Sequence, residues 1–196
     1  MRRVVVLLIL AVFIFGGGAV WRVVNDAAGS VEHLANGSWS PLSAWVDLGH
    51  CTYGAGGTEP DPRCTPGAAD PTVTQANIAS TICRTGGYSP SVRPPAVVTE
   101  PQKFASMHAY GSTGTPSAYE FDHLIPLELG GAPDTAANLW PEPLAGPQGA
   151  LVKDQLENRL HDLVCDDHLP LAAAQQAIAT DWIAGYGHFV TDGATS

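Results

Sequence analysis

The most informative part of this chain is the stretch from Tyr119 to Pro141, which reads YEFDHLIPLELGGAPDTAANLWP. It contains an adjacent Asp122-His123 pair and, about fifteen residues after that pair, Asn138. Successive side chains of an extended backbone point to opposite faces, so an acid and a histidine at neighbouring positions can share one substrate without competing for one proton. The acid can act as a metal ligand and the histidine as a general base. The stretch therefore predicts metal-assisted hydrolysis.

Local patterns in and after this stretch predict a strand, a turn and a loop. Alternation at its start predicts a strand over residues 119–125, with Tyr119 and Phe121 on one face. Residues 127–129 fit either a returning strand or the edge of a turn. Residues 141–149 are rich in proline and glycine, which predicts a loop.

Helices are predicted on both sides of the stretch. Upstream, we expect one helix that is opened by a capping box at residues 72–75 and ended by the glycines 86–87, and a second helix over residues 101–110. Downstream, the strongest helix begins at Gly149, and a last helix runs from about residue 169 to 182. The helix from Gly149 has an apolar stripe and a separate polar face, which carries Asp154, Glu157, Asn158, His161 and Cys165.

Composition and charge limit the classes of function. The chain has 196 residues, with 21 glycines, 16 prolines and only 14% charged residues, which predicts one loop-rich domain of ordinary size. Its formal net charge is −10, so it does not bind nucleic acid by charge alone. A nucleic-acid substrate would need a bound cation or a local basic patch. The basic residues near the regions of interest are Arg84, Arg93, Lys103, Lys153 and Arg159.

The N-terminus predicts export. Arg2 and Arg3 precede a run from Val4 to Val20 that contains no charged residue. As a helix this run reaches about 25 Å, slightly less than a comfortable membrane span. An uncleaved membrane anchor and a cleaved signal peptide both remain open, and either would export the rest of the chain. The predicted divisions are 1–20 (signal peptide or anchor), 21–48 (tether), 49–186 (folded domain) and 187–196 (tail).

The four cysteines fit the same compartment. They form no C-x-x-C pair. An even set in an exported chain predicts two disulfides, for which three connectivities are possible. We favour Cys51–Cys64 and Cys83–Cys165, because the second pair would tie an early helix to a late one.

The stretch resembles the core of the HNH, or ββα-metal, endonuclease superfamily at four points, which are Asp122-His123, Pro126, Gly130-Gly131 and Asn138-Leu139. The close match covers about 20 residues, and with the following helix it extends to Cys165. Upstream, parts of residues 64–95 are similar to small exported bacterial proteins that carry such a module. The resemblance implies an α+β fold with a ββα-metal hairpin-helix core and additional helices, stapled by disulfides.

The resemblance also implies a role for individual residues. His123 would be the general base that takes a proton from the attacking water, and Asp122 would be a ligand of one divalent cation. Asn138 would brace the loop that carries His123. On the helix, Asn158 and His161 would be further metal ligands, with Glu157 as the next choice. Oxygen ligands favour Mg²⁺ or Mn²⁺, whereas His161 as a ligand would also admit Zn²⁺.

The chain departs from the commonest form of the superfamily, since no zinc-knuckle cysteines flank the motif and no histidine follows Asn138 at the expected short distance. Glu157 can equally belong to the solvated face of a helix, as the partner of Lys153 in an i,i+4 pair. Trp140 and Trp182 are expected in the core rather than on a base-stacking surface.

The sequence therefore predicts a metal-dependent endonuclease that hydrolyses phosphodiester bonds in DNA or RNA outside the cytoplasm, without sequence specificity. Nucleic acid would be the substrate, the membrane would be contacted through the N-terminal segment if that segment is uncleaved, and no protein partner is predicted. The alternative is a non-catalytic exported module that uses a degenerate form of the same fold to bind a partner or a cation. The acidic balance of the chain favours this alternative.

Overall fold

The structure, a computed structural model of the chain, describes residues 39–166 and 169–193. The apolar N-terminal segment 1–20 and the first part of the predicted tether, 21–38, lie outside these residues. Within the described part of the chain, no helix is both long enough and apolar enough to cross a membrane.

Helices and one small sheet make up the fold, in agreement with the predicted α+β class. The α-helices, in chain order, are α1 (Ser43–Val46), α2 (Ser89–Val92), α3 (Ala96–Ala109), α4 (Ala150–Cys165), α5 (Leu171–Thr180) and α6 (Trp182–Tyr186). A π-helical turn follows at Gly187–Asp192. Short 3₁₀ helices cover Gln75–Ser80, Pro116–Ala118 and Leu127–Leu129.

The sheet is an antiparallel hairpin of two strands, β1 (Tyr119–His123) and β2 (Leu139–Pro143). β1 begins where the alternation predicted it and ends at His123 rather than Ile125. The returning strand is β2 and not residues 127–129, which form a 3₁₀ turn. The two prolines of β2 gave it the pattern of a loop. Each strand of a two-stranded sheet is an edge strand, however, and edges tolerate a residue without an N–H group.

Upstream of the hairpin, the helix bounds differ from those predicted. α3 begins at Ala96 instead of residue 101, and Pro101 lies inside it. The carbonyl of Val97 consequently receives no hydrogen bond from residue 101, and Val97 is exposed, where water can reach it. The helix expected from residue 72 is a 3₁₀ helix over Gln75–Ser80, and its capping box is formed by Thr74 and Asn77. This segment therefore has the predicted position but a shorter and tighter form.

The main core lies between the three helices that follow the hairpin. Leu156, Leu160 and Val164 form the apolar stripe of α4 and are buried, as the sequence predicted. They pack in one cluster with Ile178 of α5 and Trp182 of α6. The single helix expected over residues 169–182 is divided into α5 and α6, which lets both pack against α4.

Both predicted disulfides are present. Cys51–Cys64 lies in a buried cluster with Trp140, another predicted core residue. Cys83–Cys165 joins the loop after the 75–80 helix to the last residue of α4. No cysteine is free in the described residues. Two disulfides are compatible with an exported protein.

The packed body includes residues outside the predicted domain limits of 49 and 186. Trp45 of α1 is fully buried and clusters with Ala136 and Leu139, which lie before and at the start of β2. Phe189 and Val190 pack against the main core from the π-helical turn. Segments 39–48 and 187–193 therefore contribute to the same folded unit.

Candidate functional site

The loop between the two strands is held by the side chain of Asn138, which is fully buried. Its Oδ1 accepts a hydrogen bond from the Ile125 N–H at 2.9 Å and a longer one from the Ala68 N–H at 3.3 Å. Its Nδ2 donates to the carbonyls of Ile125 at 2.9 Å and Ala132 at 3.0 Å. One amide thus joins the beginning and the end of the loop that follows His123.

The paired glycines allow this amide to approach the loop. Gly130 has φ of 71°, a left-handed conformation that glycine adopts without strain. At Gly131, an added Cβ would lie 1.8 Å from the carbonyl oxygen of Ile125 and 2.9 Å from Nδ2 of Asn138. A side chain at Gly131 is therefore incompatible with the bracing contacts of Asn138.

His123, the last residue of β1, is only 3% exposed, and its ring has one defined partner. Nε2 lies 3.0 Å from the carbonyl oxygen of Pro133. Because a carbonyl only accepts hydrogen bonds, Nε2 carries the ring proton and Nδ1 is the basic nitrogen. Burial lowers the pKa of His123 to about 4, although Asp122 acts in the opposite direction. The imidazole is therefore neutral at neutral pH.

Asp122 is directed at α4, where it meets a lysine. The ammonium of Lys153 donates to Asp122 Oδ2 at 2.6 Å and to the backbone carbonyl of His123 at 2.9 Å. The same ammonium also bonds Glu157, one turn later on α4. Burial alone would lower the pKa of Lys153, but the carboxylates of Asp122, Glu157 and Glu142 outweigh it and raise the pKa well above its usual value. Lys153 is a fully buried, permanently charged group at the hairpin-helix junction.

A third carboxyl group, that of Glu142 on β2, faces the same ammonium and is fully buried. Its Oε2 is 3.9 Å from Lys153 Nζ, and neither of its oxygens has a hydrogen-bond donor among the described residues. Burial raises the pKa of Glu142 well above its usual value, against the lowering effect of Lys153, and Asp122 adds to the rise through its charge and by accepting a hydrogen bond from the Glu142 carboxyl. Asp122, Glu142 and Glu157 are named here the acid cluster.

The protonation states in the acid cluster differ. Burial would raise the pKa of Asp122, but Lys153 outweighs this and holds it below its usual value. Burial raises the pKa of Glu157 to about 8, against the lowering effect of Lys153. The main charge pair is therefore Asp122 with Lys153, whereas Glu142 and Glu157 are easily protonated.

Asn158 and His161, the helix residues that the resemblance implies as metal ligands, have contacts elsewhere. Asn158 is exposed, and its amide donates to the carbonyl of Asp154 in the preceding turn at 2.7 Å. His161 Nε2 lies 3.0 Å from the carbonyl oxygen of Ile82. Helix geometry explains this, because Asn158 lies about 140° around α4 from Lys153, and His161 about 12 Å further along its axis.

Two residues of this site, Lys153 and Glu142, were not predicted to belong to it from the sequence. Lys153 was expected only as the partner of Glu157 on a solvated helix face, and the pair exists but is buried. Glu142 lies in a segment expected to be a loop. The hairpin register places it opposite Glu120, and Asp122 follows two positions later on the same face. Only the register of the hairpin, which pairs Glu142 with Glu120, could have indicated that Glu142 belongs to the site.

Among residues 39–166 and 169–193, no group of three or more His, Cys, Asp and Glu side chains is placed to hold a metal ion. The kinds of donor around Asp122 nevertheless fit a hard divalent cation. Mg²⁺ and Mn²⁺ prefer carboxylate oxygens, and both oxygens of Glu142 lack a hydrogen-bond donor. In this structure the Lys153 ammonium takes the central position.

No family model matches the chain, and neither curated proteins nor solved structures gave a match.

Proposed function

We propose that the chain is an exported, metal-dependent endonuclease that hydrolyses phosphodiester bonds in DNA or RNA without sequence specificity. The observation that carries the proposal is the set of bonds from the buried Asn138 amide to the loop that follows His123. A general base acts only if it is held in a fixed position, and this brace supplies such a position. The two disulfides support a location outside the cytoplasm.

In this proposal His123 removes the proton of the attacking water. Its bond to the Pro133 carbonyl fixes the ring and leaves Nδ1 free of a proton, and its lowered pKa keeps the ring neutral. Asp122 would be one ligand of the divalent cation. When bound, the cation supplies positive charge that stabilises the phosphate and the leaving oxygen.

The test is a cleavage assay on plasmid DNA and RNA with Mg²⁺, Mn²⁺ or Zn²⁺, using the purified full chain. We expect cleavage by the wild type and its loss in His123→Ala. His123→Gln keeps a donor for the Pro133 carbonyl and separates loss of the base from loss of the fold, which circular dichroism monitors. His108→Ala changes an exposed histidine at the end of α3 and serves as the control. The proposal fails if both polymers stay intact with every cation, or if the wild type and His123→Ala cleave equally.

A second function, binding without catalysis, is favoured by one specific observation. The Lys153 ammonium already neutralises Asp122, and further acids lie around the site. Burial and neighbouring carboxylates raise the pKa values of Glu120, Glu128 and Asp154. Such a surface attracts a basic partner and repels phosphate.

Fluorescence anisotropy at low salt separates the two functions. A binding module would bind a labelled oligolysine and not a labelled oligonucleotide of the same length. Binding of the oligonucleotide, or of neither probe, would contradict the binding function.

A further inference from the structure

We propose that the acid cluster of Asp122, Glu142 and Glu157 is a divalent-cation site that Lys153 keeps closed, so that an entering cation must displace the lysine ammonium. The inference rests on the proposed function for its purpose, whereas the cation binding itself is tested without any substrate. It assigns the ligands to β1, β2 and the first half of α4, and not to Asn158 or His161.

Three carboxyl groups from three different elements converge on one point. The Lys153 Nζ at that point is 2.6 Å from Asp122 Oδ2 and 3.9 Å from Glu142 Oε2, and it is bonded to Glu157 as well. These distances suit an ammonium, and they are longer than the about 2.0–2.2 Å that Mg²⁺ or Mn²⁺ requires. A divalent cation would therefore draw the carboxylates inward once the ammonium has left.

Glu142 is the observation that distinguishes a cation site from an ordinary buried ion pair. Buried polar groups in folded proteins are nearly always hydrogen-bonded, and each exception needs a cause. Glu142 is fully buried, no donor in the described part of the chain reaches either of its oxygens, and the group that shares a hydrogen bond with its carboxyl is a second carboxyl, that of Asp122. One ammonium needs one carboxylate to balance its charge, and Asp122 already supplies it. The third carboxyl group fits the higher coordination number of a metal ion.

Lys153 has a way out of the cluster. The side chains of Asp122 and Glu157 are each 13% exposed, so the cluster reaches the surface at these two carboxyl groups. A lysine side chain is long and flexible and readily extends its charged end to water. The surrounding acids Glu120 and Asp154 would receive the displaced ammonium and would raise the local concentration of cations.

Displacement would also affect the general base. Lys153 donates a hydrogen bond to the backbone carbonyl of His123. Departure of the ammonium frees this carbonyl, so cation entry and the setting of His123 are coupled through one side chain. Lys153 is accordingly a positioning residue of the site.

The test is a titration with Mn²⁺, followed by calorimetry and by the electron paramagnetic resonance signal of free Mn²⁺. We expect Lys153→Met and Lys153→Gln to bind Mn²⁺ at least about tenfold more tightly than the wild type, because the competing charge is gone. Adding Glu142→Gln to Lys153→Met should abolish the gain. Asp162→Asn, a change of an exposed acid further along the same helix and outside the acid cluster, should leave the affinity within about threefold.

Equal Mn²⁺ affinity in the wild type and both lysine variants would overturn the inference, as would a gain that survives Glu142→Gln. If neither lysine variant folds, thermal unfolding of the wild type with and without Mn²⁺ decides. The site predicts stabilisation by Mn²⁺ that Glu142→Gln removes, and a wild type that Mn²⁺ does not stabilise refutes it. Mn²⁺ binding without cleavage of DNA or RNA would support the cation site and contradict the proposed nuclease function. Cleavage without Mn²⁺ binding at the acid cluster would support the nuclease function and contradict the cation site.

Discussion

Replacing Asn138 by alanine should destabilise the protein strongly. The change removes the partners of three backbone groups, the buried N–H and carbonyl of Ile125 and the partly buried carbonyl of Ala132. Each buried group left without a partner costs about 1–3 kcal/mol, and water entering the vacated space recovers part of this. We expect a total loss of about 3–5 kcal/mol, a large part of the about 5–15 kcal/mol by which a domain is stable.

Urea unfolding with the disulfides intact measures this loss, because the buried Trp45, Trp140 and Trp182 report unfolding by fluorescence. Asn138→Asp should be at least as destabilising, since it sets a carboxylate oxygen against two carbonyl oxygens. Asn158→Ala is the control, because that exposed amide bonds only its own helix and its loss should cost less than about 0.5 kcal/mol. A loss below about 1 kcal/mol in Asn138→Ala would refute the bracing role.

Two further predictions concern charges outside the acid cluster. Burial and the adjacent Asp181 raise the pKa of Glu59 to about 7 from an ordinary value of 4.5. The folded protein therefore binds this proton more tightly than the unfolded chain, and stability falls as pH rises from about 4.5 to 7. Glu59→Gln should raise the thermal midpoint at pH 8 relative to the wild type and leave the midpoint at pH 4.5 nearly unchanged, and equal effects at both pH values would contradict this. Arg93 is exposed and follows α2, and its guanidinium has no hydrogen bond or ion pair within residues 39–166 and 169–193, yet its charge acts on both His123 and Glu120. If the chain is a nuclease, Arg93→Ala should raise KM about tenfold and leave kcat nearly constant, because one charge-assisted contact to the phosphate is lost. Arg63→Ala is the control, since the guanidinium of Arg63 is already paired with Asp61. An equal rise of KM in this control would argue against a specific contact of Arg93.

Local patterns predicted the elements that depend on local periodicity. The apolar stripe of α4 needs only its own spacing, so Leu156 and Leu160 indicated the helix and its buried face. β2 was missed because its prolines are typical of loops, and only the pairing with β1 makes them compatible with a strand. Strand partners are set by contacts far apart in sequence, which a local pattern does not contain.

The residues of the candidate site also differ in whether a local sequence pattern predicts them. Asp122, His123 and Asn138 form a motif with fixed spacing, and their proximity was predictable from it. The burial of Lys153 was not, because a Lys–Glu pair four residues apart has the same pattern on a solvated helix as on one that packs against a hairpin. Glu142 required the strand register. The half of the site that comes from α4 and β2 therefore depended on tertiary packing.

The Cys83–Cys165 disulfide makes the assembly of this site dependent on the compartment. The two cysteines are 82 residues apart, and the segment between them contains both strands and nearly all of α4. Closing a loop of that length in the unfolded chain contributes about 4.5 kcal/mol to stability, comparable with the total stability of a small domain. In a reducing cytoplasm the hairpin and α4 would lack this contribution. If the chain is the proposed nuclease, it would thus remain poorly folded inside the cell that makes it and gain its full stability only in an oxidising compartment.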